Sequence, residues 1–170
     1  MKRAAVILCM DIGLAALLMP LAIPNRVQIV YNPSDSVPRG WYRIGPADSL
    51  QVGSIVLARL PAQAAVLAAQ RDYLPAGIPL LKRIGAVAPQ RVCVEGTSVR
   101  IDEVAVAAVM RADGHDRPLS AWEQCRRLTH GELFLLSSTN PTSFDSRYFG
   151  PIRASDVIGS AKPIWTWDMP

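Results

Sequence analysis

The sequence predicts a mainly β domain that follows an apolar segment at the amino terminus. Half of the 170 residues are hydrophobic, so the chain can bury a core of ordinary size. Its apolar runs beyond residue 25 are short and are separated by proline and glycine, which is typical of β-strands rather than of a helical bundle. One longer apolar run, residues 4–23, is the exception.

This amino-terminal run has the length and composition of a membrane span. Residues 4–23 contain one charged side chain, Asp11, and a helix of that length rises about 30 Å, the thickness of a bilayer's hydrocarbon core. More basic residues precede the run than follow it, so the positive-inside rule predicts a cytoplasmic amino terminus. We therefore predict that residues 1–25 form a cytoplasmic end and a single-pass anchor, and that residues 26–170 lie outside the cytoplasm.

Two other interpretations of the run stay open. A cleaved signal peptide would have a shorter apolar region that ends in small residues, whereas "LLMPLAIPNRVQ" is bulky and contains proline at that place. A buried helix of a soluble domain would explain Asp11, because a carboxylate near the centre of a span is costly.

Strands and one helix are predicted along the rest of the chain. The predicted helix is "PAQAAVLAAQRDYL", with Pro61 in its first turn and Pro75 beyond its end. The predicted strands are residues 26–32, 54–60, 78–87, 91–96, 98–104, 132–138 and 157–167.

Residues 93–130 are predicted to form a small, lid-like inserted subdomain. They interrupt two strand-like flanks, contain the turn-rich "RADGHDRP", and are bracketed by Cys93 and Cys125. In an oxidising compartment these two cysteines are candidates for a disulfide. The alternative is a zinc site that uses both with His130, although this spacing matches no recognised ligand pattern.

Charge and missing motifs exclude several classes of function. The net charge of +4 comes from scattered cations, whereas phosphate binding needs clustered ones, so we predict no nucleic-acid partner. No G-x-S-x-G elbow, P-loop or H-E-x-x-H motif is present, and no cofactor or metal is implied. Because His115 and His130 both stand in turn-like contexts, a Ser-His-Asp triad is not expected.

Three segments contain residues that are suited to serine chemistry. "YNPSDSVPRGWY" contains Ser34 and Ser36 before a Pro-x-Gly turn, directly after the apolar run. Lys82 lies among aliphatic residues of a predicted strand, and burial would lower its pKa until the neutral amine can accept a proton from a serine. An edge-strand lysine whose amine reaches water is the structural alternative.

The third segment is "NPTSFDSRYFG". Extended, it places Ser143, Asp145 and Arg147 on one side, a hydroxyl beside an oppositely charged pair. A serine hydroxyl can orient a neutral lysine without raising its pKa as a carboxylate would. By itself, the segment is also explained as a polar loop.

Taken in order after an amino-terminal span, these segments resemble the bacterial type I signal peptidases, which are membrane-anchored Ser/Lys proteases. The spacing in "SVPRGWY", the insertion with two cysteines, "RPLSAWEQCRRL" and "GELFLLSSTNPTSFDSRYFGPI" are similar to the conjugative-transfer branch, the TraF-type pilin-maturation peptidases. The resemblance covers nearly the whole chain. It implies a signal-peptidase-like coiled β-sheet catalytic domain with the small insertion and the transmembrane helix.

The resemblance also implies a role for each matched residue. Ser36 matches the nucleophile and Lys82 the general base. Ser34 matches the residue whose hydroxyl joins the Ser36 backbone N–H in the oxyanion hole, and Ser143 matches the serine that orients the lysine.

Asp145 and Arg147 match a supporting ion pair. Two stretches depart from the common pattern: "GAVAPQR" replaces a Pro-Gly-Asp turn, and "SSTNPTS" replaces Gly-Asp-Asn. Both leave the reactive positions intact and place the substrate pockets and local turns in doubt.

The implied function is maturation of a conjugative pilin precursor by an endopeptidase in the inner membrane, with its catalytic domain in the periplasm. Membrane lipid and mating-pair formation proteins are the other implied partners, and the acyl-enzyme could be resolved by water or by the pilin's own amine with cyclisation. The alternatives are a general signal peptidase and a non-catalytic, membrane-tethered assembly protein.

Four aromatic residues leave a further question open. Trp41 and Tyr42 follow the serine turn, and Trp165 and Trp167 share one face of the last predicted strand. They fit either an aromatic belt at the membrane interface or the core.

Overall fold

The computed structural model describes residues 6–14, 28–137 and 139–167. Residues 6–14 form a helix, α1. Among the described residues no helix is both long and apolar enough to cross a membrane. Most of the predicted span, residues 4–23, lies outside the described residues.

A seven-stranded antiparallel sheet forms the body of the protein, which confirms the mainly β fold. Its spatial order is β1-β2-β11-β3-β4-β9-β10. The strands are β1 (Gln28–Asn32), β2 (Gly40–Gly45), β3 (Ile55–Ala58), β4 (Leu80–Val87), β9 (Glu132–Leu135), β10 (Ile152–Arg153) and β11 (Val157–Thr166).

A second, four-stranded sheet has the order β7-β6-β5-β8. Its strands are β5 (Arg91–Glu95), β6 (Ser98–Ile101), β7 (Val104–Ala108) and β8 (Cys125–Arg127). Apart from the first two residues of β5, the whole of this sheet falls within the predicted insertion, residues 93–130. Cys93 and Cys125 face each other across β5 and β8 and form a disulfide.

Beyond α1, the described residues contain three short helical segments. Helix α2 (Ala62–Gln70) follows Pro61, whose fixed φ suits a helix start, and it buries Ala64 and Ala68. Helix α3 (Ser146–Phe149) begins after Asp145, whose side chain accepts a hydrogen bond from the backbone N–H of Arg147. A 3₁₀ turn (Ala154–Asp156) leads into β11.

Alternating burial explains how β2 forms one wall of the core. Tyr42 and Ile44 are buried, whereas the alternate residues Trp41 and Arg43 are exposed to solvent, as the two-residue period of a strand requires. The four aromatic residues near this strand therefore fall into two groups. Tyr42 belongs to the core, whereas the three tryptophans lie at the surface: Trp41 is 45%, Trp165 67% and Trp167 58% exposed.

Gly40 at the start of β2 allows the close approach of β11. Its φ is +147°, and a Cβ atom there would lie 2.1 Å from the carbonyl oxygen of Trp165. Only glycine fits this position without a shift of the backbone. The residue thus fixes the end of the serine-containing turn against the sheet.

Candidate active site

The two candidate serines lie in the loop of residues 33–39, which joins β1 to β2. Asn32 at the end of β1 pairs with Gly40 at the start of β2, so the loop is closed at its base by the sheet. Within it Ser36 is buried and Ser34 is exposed. Their hydroxyl oxygens lie 2.8 Å apart and share a hydrogen bond.

Asn32 organises this loop through both ends of its side chain. Its Oδ1 accepts hydrogen bonds from the Ser34 hydroxyl at 2.8 Å and from the Ser34 N–H at 3.2 Å. Its Nδ2 donates to the carbonyl oxygens of Ser34, Val37 and Pro38 at 2.8, 3.0 and 3.2 Å. Asn32 was not among the predicted site residues, although an asparagine two residues before a serine is a common start of an Asx turn.

Lys82 lies in β4, between the edges of the sheet, and its side chain is buried with 3% of the residue exposed. Burial lowers its pKa from the ordinary value to about 8, and the Arg147 cation acts in the same direction. Asp145 opposes the change, because its negative charge favours the ammonium. A substantial fraction of the amine is therefore neutral near pH 8.

Ser143 is the hydrogen-bond partner of this amine. The Lys82 Nζ donates to the Ser143 Oγ, and both side chains are buried. The loop that carries Ser143 is held by Arg147, which donates to the carbonyl oxygens of Ser143 at 2.9 Å and of Pro141 at 2.9 Å. Four residues after the serine in sequence, Arg147 thus fixes the position from which it meets the lysine.

Asp145 and Arg147 form a buried ion pair. Arg147 contacts the carboxylate through two nitrogens, Nε to Oδ1 and Nη2 to Oδ2, each at 2.8 Å. Both residues are fully buried. The carboxylate also accepts hydrogen bonds from the backbone N–H of Arg147 at 3.2 Å and of Ser137 at 3.0 Å, so the pair joins α3 to the segment that follows β9. Arg147 also donates to the carbonyl oxygen of Ala108 at 2.8 Å, which ties it to β7.

One cavity of about 740 Å³ brings the candidate residues together. Ser34, Ser36, Lys82 and Ser143 all line it. Among the hydrogen bonds of the described residues, none joins Ser36 to Lys82: the serine is bonded to Ser34 and the amine to Ser143. Asp145 and Arg147 do not line the cavity, but Arg147 holds the loop that carries Ser143.

The segment between β7 and β8 supplies part of the cavity wall. Its Asp113 and Leu119 line the cavity together with Tyr73, which follows α2. The Tyr73 hydroxyl donates to Asp113, and the Arg117 Nε donates to the same carboxylate at 2.7 Å. Burial alone would raise the pKa of Asp113, but its hydrogen bonds from Tyr73, Arg117 and the His115 N–H outweigh that effect and hold the pKa well below its usual range.

Most of the other lining residues are apolar. The aliphatic and phenyl side chains among them are those of Val30, Leu57, Leu60, Ala68, Leu74, Ile78, Leu80, Leu81 and Phe144. A cavity of this kind accepts an extended peptide with apolar side chains better than a charged ligand.

The alternative zinc site does not fit this arrangement. The sulfurs of Cys93 and Cys125 are bonded to each other, so neither can supply the thiolate that zinc requires. His130 is exposed.

Comparisons with known proteins show which family the sequence resembles. The family described as "Signal peptidase, peptidase S26" matches residues 1–167. A plasmid transfer protein TraF from Escherichia coli is 33% identical in an alignment 169 residues long, which covers 91% of this chain and 92% of that protein. A probable conjugal transfer protein TraF from Sinorhizobium fredii is 36% identical in an alignment 146 residues long, which covers 80% of this chain and 76% of that protein.

A solved signal peptidase I from Enterococcus faecalis is also similar, with a TM-score of 0.41 and 19% identity over 66% of this chain and 97% of that chain. The assignment to a family rests on the sequence matches.

Proposed function

The chain belongs to the signal peptidase family, peptidase S26, and on that premise we propose that it is a membrane-anchored Ser/Lys endopeptidase that matures a conjugative pilin precursor. The observation that carries the proposal is the common cavity of Ser36 and the buried amine of Lys82. Desolvation supplies a neutral amine at moderate pH, which the chemistry needs.

Acylation begins with attack of the Ser36 Oγ on the carbonyl carbon of the scissile peptide bond. The neutral Lys82 amine takes the serine proton, and the Oγ–C bond forms as the carbonyl π-electrons move to oxygen. For this step the Ser36 hydroxyl turns from Ser34 toward Lys82. Ser143 keeps the amine directed into the cavity.

The resulting oxyanion is stabilised by the Ser34 hydroxyl and the Ser36 backbone N–H. Collapse of the intermediate breaks the C–N bond, and the Lys82 ammonium returns the proton to the leaving amine. Water, or an amine of the pilin itself, then attacks the ester on Ser36, with Lys82 again as the base. The second nucleophile decides between hydrolysis and cyclisation.

The proposed substrate rests on the resemblance to the pilin-maturation branch. The relatives from Escherichia coli and Sinorhizobium fredii are named as plasmid transfer and conjugal transfer proteins, which supports a role in conjugation for this chain too. A general signal peptidase would process many exported proteins rather than one.

An anchor formed by residues 4–23 in the inner membrane, with the domain on the periplasmic side, is part of the same proposal. An exposed aromatic cluster on β1, β2 and the end of β11 supports it. The Tyr31 ring lies 5.1 Å from that of Trp41 and 5.9 Å from that of Trp167, and Trp165 stacks on Trp167 at 6.2 Å. Such rings favour the headgroup region of a bilayer.

A processing assay tests the proposal. The full chain, in detergent or vesicles, is incubated with the pilin precursor, and the products are separated by mass. Ser36→Ala and Lys82→Ala are expected to abolish cleavage while the protein stays folded, whereas Lys162→Ala, at an exposed lysine of β11, keeps it. Full processing by Lys82→Ala would instead favour a serine mechanism that does not use Lys82, and no processing by the wild-type protein would favour the non-catalytic assembly protein.

A further inference from the structure

The hydrogen bonds around Ser34 run in one direction. The Ser34 hydroxyl donates its single proton to the Asn32 Oδ1, because an amide oxygen can only accept. The bond between Ser34 and Ser36 must therefore take its proton from Ser36. In the resting site the chain of donors runs from Ser36 to Ser34 to Asn32.

The orientation of the Asn32 amide is fixed by its surroundings. Its Nδ2 faces the three carbonyl oxygens of Ser34, Val37 and Pro38, and its Oδ1 faces two donors on Ser34. A flipped amide would place oxygen against three acceptors and nitrogen against an N–H, and would lose four of the five contacts, all but the one to the Ser34 hydroxyl. Asn32 is itself buried, with 4% of the residue exposed.

From this geometry we infer that Asn32 is a positioning residue that holds Ser34 beside Ser36 through the Ser34 backbone N–H and carbonyl oxygen. When the oxyanion forms, the Ser34 hydroxyl turns its proton from the Asn32 Oδ1 to the oxyanion, while these backbone contacts keep the residue in place. The inference rests on the proposed function for its catalytic consequence. Ser34 is exposed and its side chain would otherwise be free to rotate into solvent. Asn32 touches no reacting atom and acts through Ser34.

Two features separate this role from a merely structural one. First, the loss of Asn32 should lower kcat and leave KM within about threefold, because the oxyanion contact exists only in the transition state. Second, the loss should depend on the Ser34 hydroxyl. Residues that act as a unit show non-additive effects, whereas independent residues multiply.

The test is a double-mutant cycle in the processing assay. Asn32→Ala is combined with Ser34→Ala and with Ser34→Thr, the latter a control that keeps the hydroxyl. Removal of an oxyanion donor by Ser34→Ala is expected to lower kcat by about 10²–10³. We expect Asn32→Ala to lower kcat by about tenfold or more beside Ser34 or Thr, and by less than about threefold beside Ala.

Equal factors in all three backgrounds, or an unchanged kcat, would overturn the inference. Asn32→Leu, of similar size, repeats the cycle should the alanine variant not fold.

Hydrogen exchange of the wild-type protein gives a second readout that needs neither a variant nor a substrate. Ser34 is exposed to solvent, yet its backbone N–H is expected to exchange slowly because it donates a hydrogen bond to the Asn32 Oδ1. Exchange at the rate of a free amide would overturn the positioning role. A precursor left uncut by the wild-type protein, with a protected Ser34 amide, would count against the proposed function alone.

Discussion

Lys82 and Ser143, 61 residues apart in the chain, are joined by a hydrogen bond between two buried side chains. Arg147 holds this serine in turn by donating a hydrogen bond to its carbonyl oxygen, and Arg147 is fixed by its ion pair with Asp145. The position of the amine therefore depends on a chain of contacts that begins at residues outside the cavity lining.

The activity should rise with pH through the pKa of Lys82. The amine must be neutral to accept the serine proton, and its pKa is about 8. The logarithm of kcat/KM is thus expected to climb with a slope of about one below pH 8 and to level off above it. A pH–rate profile of precursor cleavage checks this. A flat profile from pH 6 to 9 would show that no group of this kind limits the reaction.

Replacement of Lys82 by methionine should stabilise the fold at neutral pH. The unfolded chain keeps the lysine proton up to about pH 10.5, whereas the folded protein releases it near 8. Between these values the unfolded state binds more protons, so wild-type stability rises with pH. Below pH 8 the buried ammonium costs up to about 3 kcal/mol, which methionine avoids.

Denaturant unfolding of both proteins at pH 7 and pH 10 measures this difference. We expect Lys82→Met to be the more stable at pH 7 and the two curves to converge as the pH rises. A variant that is less stable than wild type at pH 7 would mean that the ammonium is well solvated in the folded state.

Removal of Arg147 should destabilise the domain more than removal of an exposed arginine. Arg147→Ala leaves the Asp145 carboxylate buried without its partner, which costs about 3–5 kcal/mol. Arg147→Lys is expected to recover less than half of the loss, because one ammonium cannot reproduce the paired contacts of the guanidinium. Arg153→Ala, at an exposed site, is the control.

The measurement is the free energy of unfolding of the three variants. A lysine variant as stable as wild type would contradict the requirement for the guanidinium fork.

Loss of the Cys93–Cys125 disulfide should lower stability. The bond closes a loop with a sequence separation of 32, and the chain-entropy model assigns such a loop about 3–4 kcal/mol. The variant with alanine at both positions is expected to show that loss, while kcat at a temperature where it is folded stays within about threefold of wild type. Unfolding curves with and without reductant check this, since only the wild-type protein should respond to it.

The strands of the sheet were predictable where apolar residues alternate or cluster. The predicted runs 54–60, 78–87 and 157–167 contain β3, β4 and β11. Strand β2 was not predicted, because the turn residues of "SVPRGWY" and the glycines at its ends mask its alternation. Strands β7 and β8 were not predicted either. The first is mostly exposed and built of small residues, and the second has only three residues.

The site shows a similar division. The order of the serine, lysine and serine segments was visible in the sequence, and the structure places all three at one cavity. Tyr73 and Asp113 were not selected, because their contact joins residues 40 apart whose side chains have no distinctive spacing. Asn32 was missed since its contacts depend on the closed shape of the loop.

The most direct test of the central claim is to trap the acyl-enzyme. The wild-type protein is mixed with precursor, quenched in acid within the first turnover and digested, and the modified peptide is located by mass spectrometry. We predict an ester on Ser36 in the wild-type protein and none in Lys82→Ala. An ester on another residue, or one on Ser36 that forms at an unchanged rate without Lys82, would contradict it.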